Sequence, residues 1–130
     1  AAITSLFLGV ETLQVLSRYQ SATLLIDTLE LFFTMALLAR QNNFLDDEKK
    51  FLLLADEKLA EVQQNSALAE MMPRFIYLSA KVKLQLNNKD EALKMLGSLI
   101  HNRTLNTKSG RRYRSLAQEL WEDVKYYNKK

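Results

Sequence analysis

Residues 74–100 read RFIYLSAKVKLQLNNKDEALKMLGSLI, and their pattern decides the fold. Phe75, Leu78, Ser79, Val82 and Leu86 recur at spacings of three and four, the period of one helical face. Asn87-Asn88 interrupts that period with residues that favour turns. Asp90 and Glu91 then put negative charge in the first turn of a second helix, where the macrodipole favours it. That helix carries Ala92, Leu93, Leu96, Leu99 and Ile100. Neither helix can bury its apolar stripe alone, and so short a turn folds one back on the other. The unit is an antiparallel helical hairpin.

The same plan occurs upstream. Residues 21–41 read SATLLIDTLELFFTMALLARQ, with Ala22, Leu25, Ile26, Leu29, Phe32, Phe33, Ala36 and Leu37 on one side. Leu24, Leu31, Met35 and Leu38 lie on another, and a helix apolar nearly all round is expected between neighbours. Asn42-Asn43, 45 residues before Asn87-Asn88, ends it. Asp46-Asp47-Glu48 opens the next helix, which uses Leu52, Ala55, Leu59 and Val62 and ends near Asn65. Before this hairpin, a helix over Ile3–Ser17 aligns Ile3, Leu6, Phe7, Val10 and Leu13. A break at Arg18-Tyr19-Gln20 separates the two, with Ser21 as N-cap.

Between the hairpins, Ser66 caps a helix that begins near Ala67 and kinks at Pro73. His101 to Ser109 is the longest loop. A last helix over Arg111–Tyr127 has a stripe of Tyr113, Leu116, Ala117, Leu120, Val124 and Tyr127, with charge on its opposite side. The expected fold is all-α, about six helices in one domain spanning residues 1–130, with no segment that reads as a strand.

Composition agrees. The 130 residues include three glycines, one proline and no cysteine. Few turn formers argue against a sandwich or barrel, and without cysteine there is no disulfide framework or thiolate zinc site. The implied setting is intracellular, cytoplasmic or nuclear. The net charge of +3 averages two unlike halves. Residues 1–65 hold 5 basic and 9 acidic side chains, a net of −4; residues 66–130 hold 13 and 6, a net of +7. Such polarity favours oriented contacts, including self-association. Membrane insertion is not expected, because Asp27 and Glu30 interrupt the most apolar segment and the charge-free run Leu31 to Ala39 is too short to span a bilayer.

The second hairpin resembles a degenerate tetratricopeptide repeat. The likeness rests on Phe75, Leu78, Ser79 and Ala80, on the Asn-Asn-Lys-Asp-Glu-Ala turn at 87–92, and on Leu96. Ala80 and Ala92 stand twelve apart, as do the small residues at which that family's paired helices approach closely. Lys83 stands where the family's first helix usually has an aromatic residue. The closing proline is absent, with Thr104 near that place. The first hairpin follows the pattern in outline, without the small residue early in its second helix. The resemblance implies antiparallel hairpins stacked as a short solenoid with a terminal capping helix, the C-terminal fragment of a longer array. It also implies a role in binding peptides or partner subunits.

Chemistry is sparse. The single histidine, His101, falls at a helix end, where a partly charged imidazole suits the C-terminus. No Glu-x-x-His or His-x-x-x-His spacing sets metal ligands on one helical face. Asp46-Asp47-Glu48 reads as a helix start rather than a cation site, and no glycine belongs to a phosphate-cradling loop. Asn102-Arg103-Thr104 fits the glycosylation acceptor pattern, which is common by chance. No cofactor, metal or catalytic residue is expected.

The basic end carries more. Arg103, Lys108, Arg111, Arg112 and Arg114 cluster across the last loop and the start of the last helix, where cations oppose the macrodipole. Arg74, Lys81 and Lys83 lie on or beside the polar side of their helix. The leading expectation is a non-catalytic scaffold module that binds an acidic peptide or partner subunit through a groove lined by the second and fourth expected helices and through these eight residues. Two alternatives use the same sequence: a nucleic-acid accessory domain built on the basic patch, and a structural oligomerisation domain.

Overall fold

The structure, a computed structural model, describes the backbone of residues 2–65, 72–101 and 107–127, with side chains over 20–64, 72–101 and 107–126. Every regular element among them is helical: α1 (Ala2–Gln41), α2 (Leu45–Asn65), α3 (Pro73–Gln85), α4 (Lys89–Ile100) and α5 (Lys108–Glu122). A single π-helical turn, Asp123–Tyr127, continues α5.

The first two expected helices are one. Nothing in Arg18-Tyr19-Gln20 breaks a helix, for it contains neither glycine nor proline. Ser21 is therefore an exposed interior residue of α1, not a cap. This brings the described helices to five. At the other junction, Met72 is extended (φ −73°, ψ 131°) and Pro73 takes the first position of α3. A residue before proline avoids the helical region, and proline at a helix start loses no hydrogen bond. The helix thus begins at Pro73 rather than passing through it; residues 66–71, where Ser66 and Ala67 were to start it, lie outside the described residues.

Both hairpin turns are built alike. Asn43 (φ 60°) and Asn87 (φ 63°) are the only non-glycine residues with positive φ among those described. Asn43 N–H donates to Arg40 C=O and Phe44 N–H to Ala39 C=O; Asn87 N–H donates to Leu84 C=O and Asn88 N–H to Lys83 C=O. This is the Schellman arrangement, in which one left-handed residue closes the helix and satisfies its last carbonyls. The two turns therefore match with a spacing of 44 residues: Asn43 corresponds to Asn87, not to Asn88.

The helices form two layers. Arg74 ion-pairs with Asp27 and Glu30, Lys81 lies over Phe33, and Arg40 Nη1 donates to Gln85 Oε1 at 2.6 Å. Ascending numbers on α3 thus meet ascending numbers on α1, so the two are parallel. Tyr77 meets Tyr113, while Leu84 and Leu120 share one groove, so α5 is parallel to α3 as well. Behind this row, α2 returns along α1 and α4 along α3.

One core joins α1, α2 and α3 through Ile26, Leu29, Phe33, Leu59, Val62 and Phe75. The other joins α3, α4 and α5 through Ala80, Ala92, Leu96, Leu99 and Ala117. Each fully buried leucine or isoleucine contributes roughly 1.5–3 kcal/mol. Ala80 and Ala92 are both completely buried, so the small side chains lie where α3 and α4 meet.

The expectation that α1 is enclosed on all sides does not hold. Leu24, Leu31, Met35 and Leu38 face outward, because α2 and α3 cover only its other flanks. Gln20–Gln41 is the one segment among the described residues long and apolar enough to cross a membrane. Its Ile26, Leu29 and Phe33 nevertheless pack into the core, and its two carboxylates pair with Arg74.

Candidate functional site

The eight basic residues do not form one patch. Arg74, at the start of α3, approaches Asp27 Oδ1 to 2.6 Å and also holds the Glu30 carboxylate. Burial disfavours its charge, but the hydrogen bonds and charges of Glu30 and Asp27 outweigh that, and its pKa is raised. Arg74 is thus committed to a contact between α3 and α1. Lys83 points to the other side of α3, where its Nζ lies 3.2 Å from Asp56 Oδ1 on α2. At the position where the resembling family has an aromatic residue, this chain has an inter-helical ion pair. Lys83 therefore does not line a shared face with Lys81 and Arg74, because residues two apart on a helix point in different directions.

Lys81 occupies the α1–α3–α5 side. Its ammonium stands 5.3 Å from the ring centre of Phe33 and 5.5 Å from that of Tyr77, a cation–π contact to both helices. The Tyr77 ring lies 5.8 Å from that of Tyr113, tilted by 53°. Phe33, Lys81, Tyr77 and Tyr113 thus form a line across three parallel helices. Burial pushes the Tyr77 phenol pKa up, and the nearby Glu119, Tyr113 and Asp123 add to the shift. Sequence reading missed Tyr77, which stands off the core stripe of α3; three and four residues from Ala80 and Lys81, it had no partner until α5 was placed.

The remaining basic residues gather at the start of α5. Thr107 caps this helix, its Oγ1 accepting from Gly110 N–H at 3.0 Å, so α5 starts at Lys108, before the expected Arg111. Lys108, Arg111 and Arg112 are exposed, and no ion pair among the described residues involves them. Arg114 is half-buried, and with Arg111, Ser115, Gln118 and Ile100 it lines a shallow depression between α4 and α5. Arg103, with the Asn102-Arg103-Thr104 motif, lies outside the described residues.

Trp121 packs inward: a Cβ placed on Gly97 of α4 would meet its ring at 3.4 Å, and the Lys125 ammonium stands 5.2 Å from the ring centre. His101 is the exposed C-cap of α4. Among the described residues no group of three or more histidine, aspartate or glutamate side chains could hold a metal. The chain matches no family model, no curated protein and no solved structure.

Proposed function

We propose that this chain is a non-catalytic interaction module that docks an acidic segment of a partner protein on the start of α5 and the adjoining α1–α3–α5 face. The observation that carries this reading is the position of Lys108, Arg111 and Arg112. They are exposed, lie outside every ion pair among the described residues, and stand at a helix N-terminus, where each cation opposes the macrodipole by about 0.3–1 kcal/mol. Local stability does not account for them; an anionic partner does. Tyr113 follows Arg112 directly and meets Tyr77, so the two rings offer apolar contact area, and Lys81 offers a cation already held between two rings.

The same reading treats the helices as a short tetratricopeptide-like stack, two hairpins closed by α5. Two matching Asn turns support it, as do the buried Ala80–Ala92 pair and parallel packing of α1, α3 and α5. It places the module in an intracellular assembly. A nucleic-acid role for the patch is the weaker reading, because Arg74 and Lys83 are already paired within the fold and, among the described residues of the patch, three exposed cations remain.

The test is binding of a poly-glutamate peptide to the wild type and to the R111E/R112E variant. Binding should fall at least about tenfold in the variant, with the thermal midpoint held or raised, because acids at a helix N-terminus suit the macrodipole. Unaltered binding would overturn the assignment of these residues. Tighter binding to single-stranded RNA, with a steep salt slope, would favour the nucleic-acid role.

A further inference from the structure

The charges of α5 run in one order along its length. Lys108, Arg111 and Arg112 stand in its first turns, and Glu119, Glu122 and Asp123 stand at its end. That is the reverse of the order the macrodipole favours. Glu119 and Asp123 are exposed, and no ion pair among the described residues involves either. Local stability thus accounts for neither the cations nor these carboxylates.

Helical phase sets both signs on a single strip. Arg112, Leu116, Glu119 and Asp123 follow spacings of four, three and four, so they share one side of α5. This side borders α3. Both carboxylates act on the Tyr77 phenol of α3, and Asp123 lines a groove with Leu84 of α3 and Arg40 of α1. Leu116, between the charges, is half-buried and belongs to neither core. The groove encloses about 750 Å³, room for a long side chain, and Glu48 adds a second carboxylate to it. Arg40, the cation that lines it, is engaged by Gln85 Oε1 at 2.6 Å. From the start of α5 to its end the strip therefore reads cation, apolar, carboxylate.

We infer that the docked partner is an extended segment of bipolar charge, with its acids over Arg112, an apolar centre over Leu116 and a cation over Glu119 and Asp123. This inference rests on the docking role proposed above and specifies the chemistry of the partner. Complementarity selects the order, because an acid-only segment would bring like charge against Glu119 and Asp123. The helix sets the spacing. Arg112 and Asp123 are eleven residues apart in the sequence. That is about 16 Å along a helix, a length that an extended chain covers in about five residues. A docked helix fits less well, because it buries an apolar stripe over several turns, and this strip holds one leucine between charges.

Three end-blocked peptides of equal length, titrated into the full chain, test the inference. The ordered peptide is Glu-Glu-Glu-Leu-Ser-Leu-Lys-Lys-Lys, and the acid-only peptide has glutamine in place of each lysine. The scrambled peptide is Glu-Lys-Glu-Leu-Ser-Leu-Lys-Glu-Lys. Although it carries no net charge, the ordered peptide should bind at least about tenfold tighter than either control. E119Q/D123Q should bring it down to the acid-only level, with acid-only binding itself held or tightened. R112E should weaken both. The wild-type comparison needs no variant, so it decides the matter even where a variant fails to fold. Equal binding of the ordered peptide and either control would overturn this inference and leave the docking role standing. So would a preference that survives E119Q/D123Q. If neither the ordered nor the acid-only peptide binds, the docking role falls and this inference with it.

Discussion

Tyr77 is the residue at which fold and proposed site meet. Its ring touches Lys81 on its own helix and Tyr113 on α5, and its phenol is held above the usual value of 10.0 by burial and by the carboxylates of α5. The folded chain keeps this proton to higher pH than the unfolded chain does. Just above pH 10 the native state therefore binds more protons, and stability declines as pH rises past the unfolded pKa. Urea midpoints measured on either side of about pH 10 should fall for the wild type, and the Y77F variant should lose part of that fall. Asn43 and Asn87 make a second prediction at this scale. Valine at either position forces a branched side chain into the left-handed region, at a cost of about 1–2 kcal/mol, whereas glycine there should be neutral or stabilising. Thermal midpoints of N87V and N87G check both signs.

At the scale of elements, α4 and α5 are joined where Gly97 faces Trp121. A methyl group there makes ordinary contact at 3.4 Å and removes the helix penalty of glycine, so G97A should gain up to about 0.5–1 kcal/mol. G97L places a branched side chain against the indole and should destabilise by about 1–3 kcal/mol. At the start of α5, T107A removes the acceptor for Gly110 N–H and should cost about 1 kcal/mol in denaturant unfolding. Helix positions were largely legible in the sequence, because periodicity and the Asn turns are local signals. The continuity of α1 was not, because a polar triplet resembles a boundary even where nothing stops the helix. Which side of α1 is covered was not legible either: its apolar residues circle the helix, and only the placement of α2 and α3 leaves Leu24, Leu31, Met35 and Leu38 outside. The site was legible in part. Clustering of cations at 108–112 shows in the sequence, but the pairing of Arg74 with Asp27 and Glu30, and of Lys83 with Asp56, spans 27 to 47 positions and depends on packing.

The whole molecule has two ends of different character. At one, α1 exposes an apolar stripe; at the other, α5 presents charge. The split between an acidic first half and a basic second half follows this division, for the carboxylates of α1 and α2 meet Arg74 and Lys83 at the junction, while the surplus cations gather on α5. Phe75, Leu78 and Val82 bury the junction, with Arg74 and Lys83 paired beside them, and the cations at the start of α5 stay exposed. The central claim is that this end docks an acidic segment, and the most direct measurement is a ¹H–¹⁵N titration of the full chain with poly-glutamate peptide. Shifts should concentrate at Lys108, Arg111, Arg112 and Tyr113, extend to Tyr77 and Lys81, and vanish in the R111E/R112E variant. Shifts centred on α2 or α4, or shifts that persist in that variant, would contradict the account.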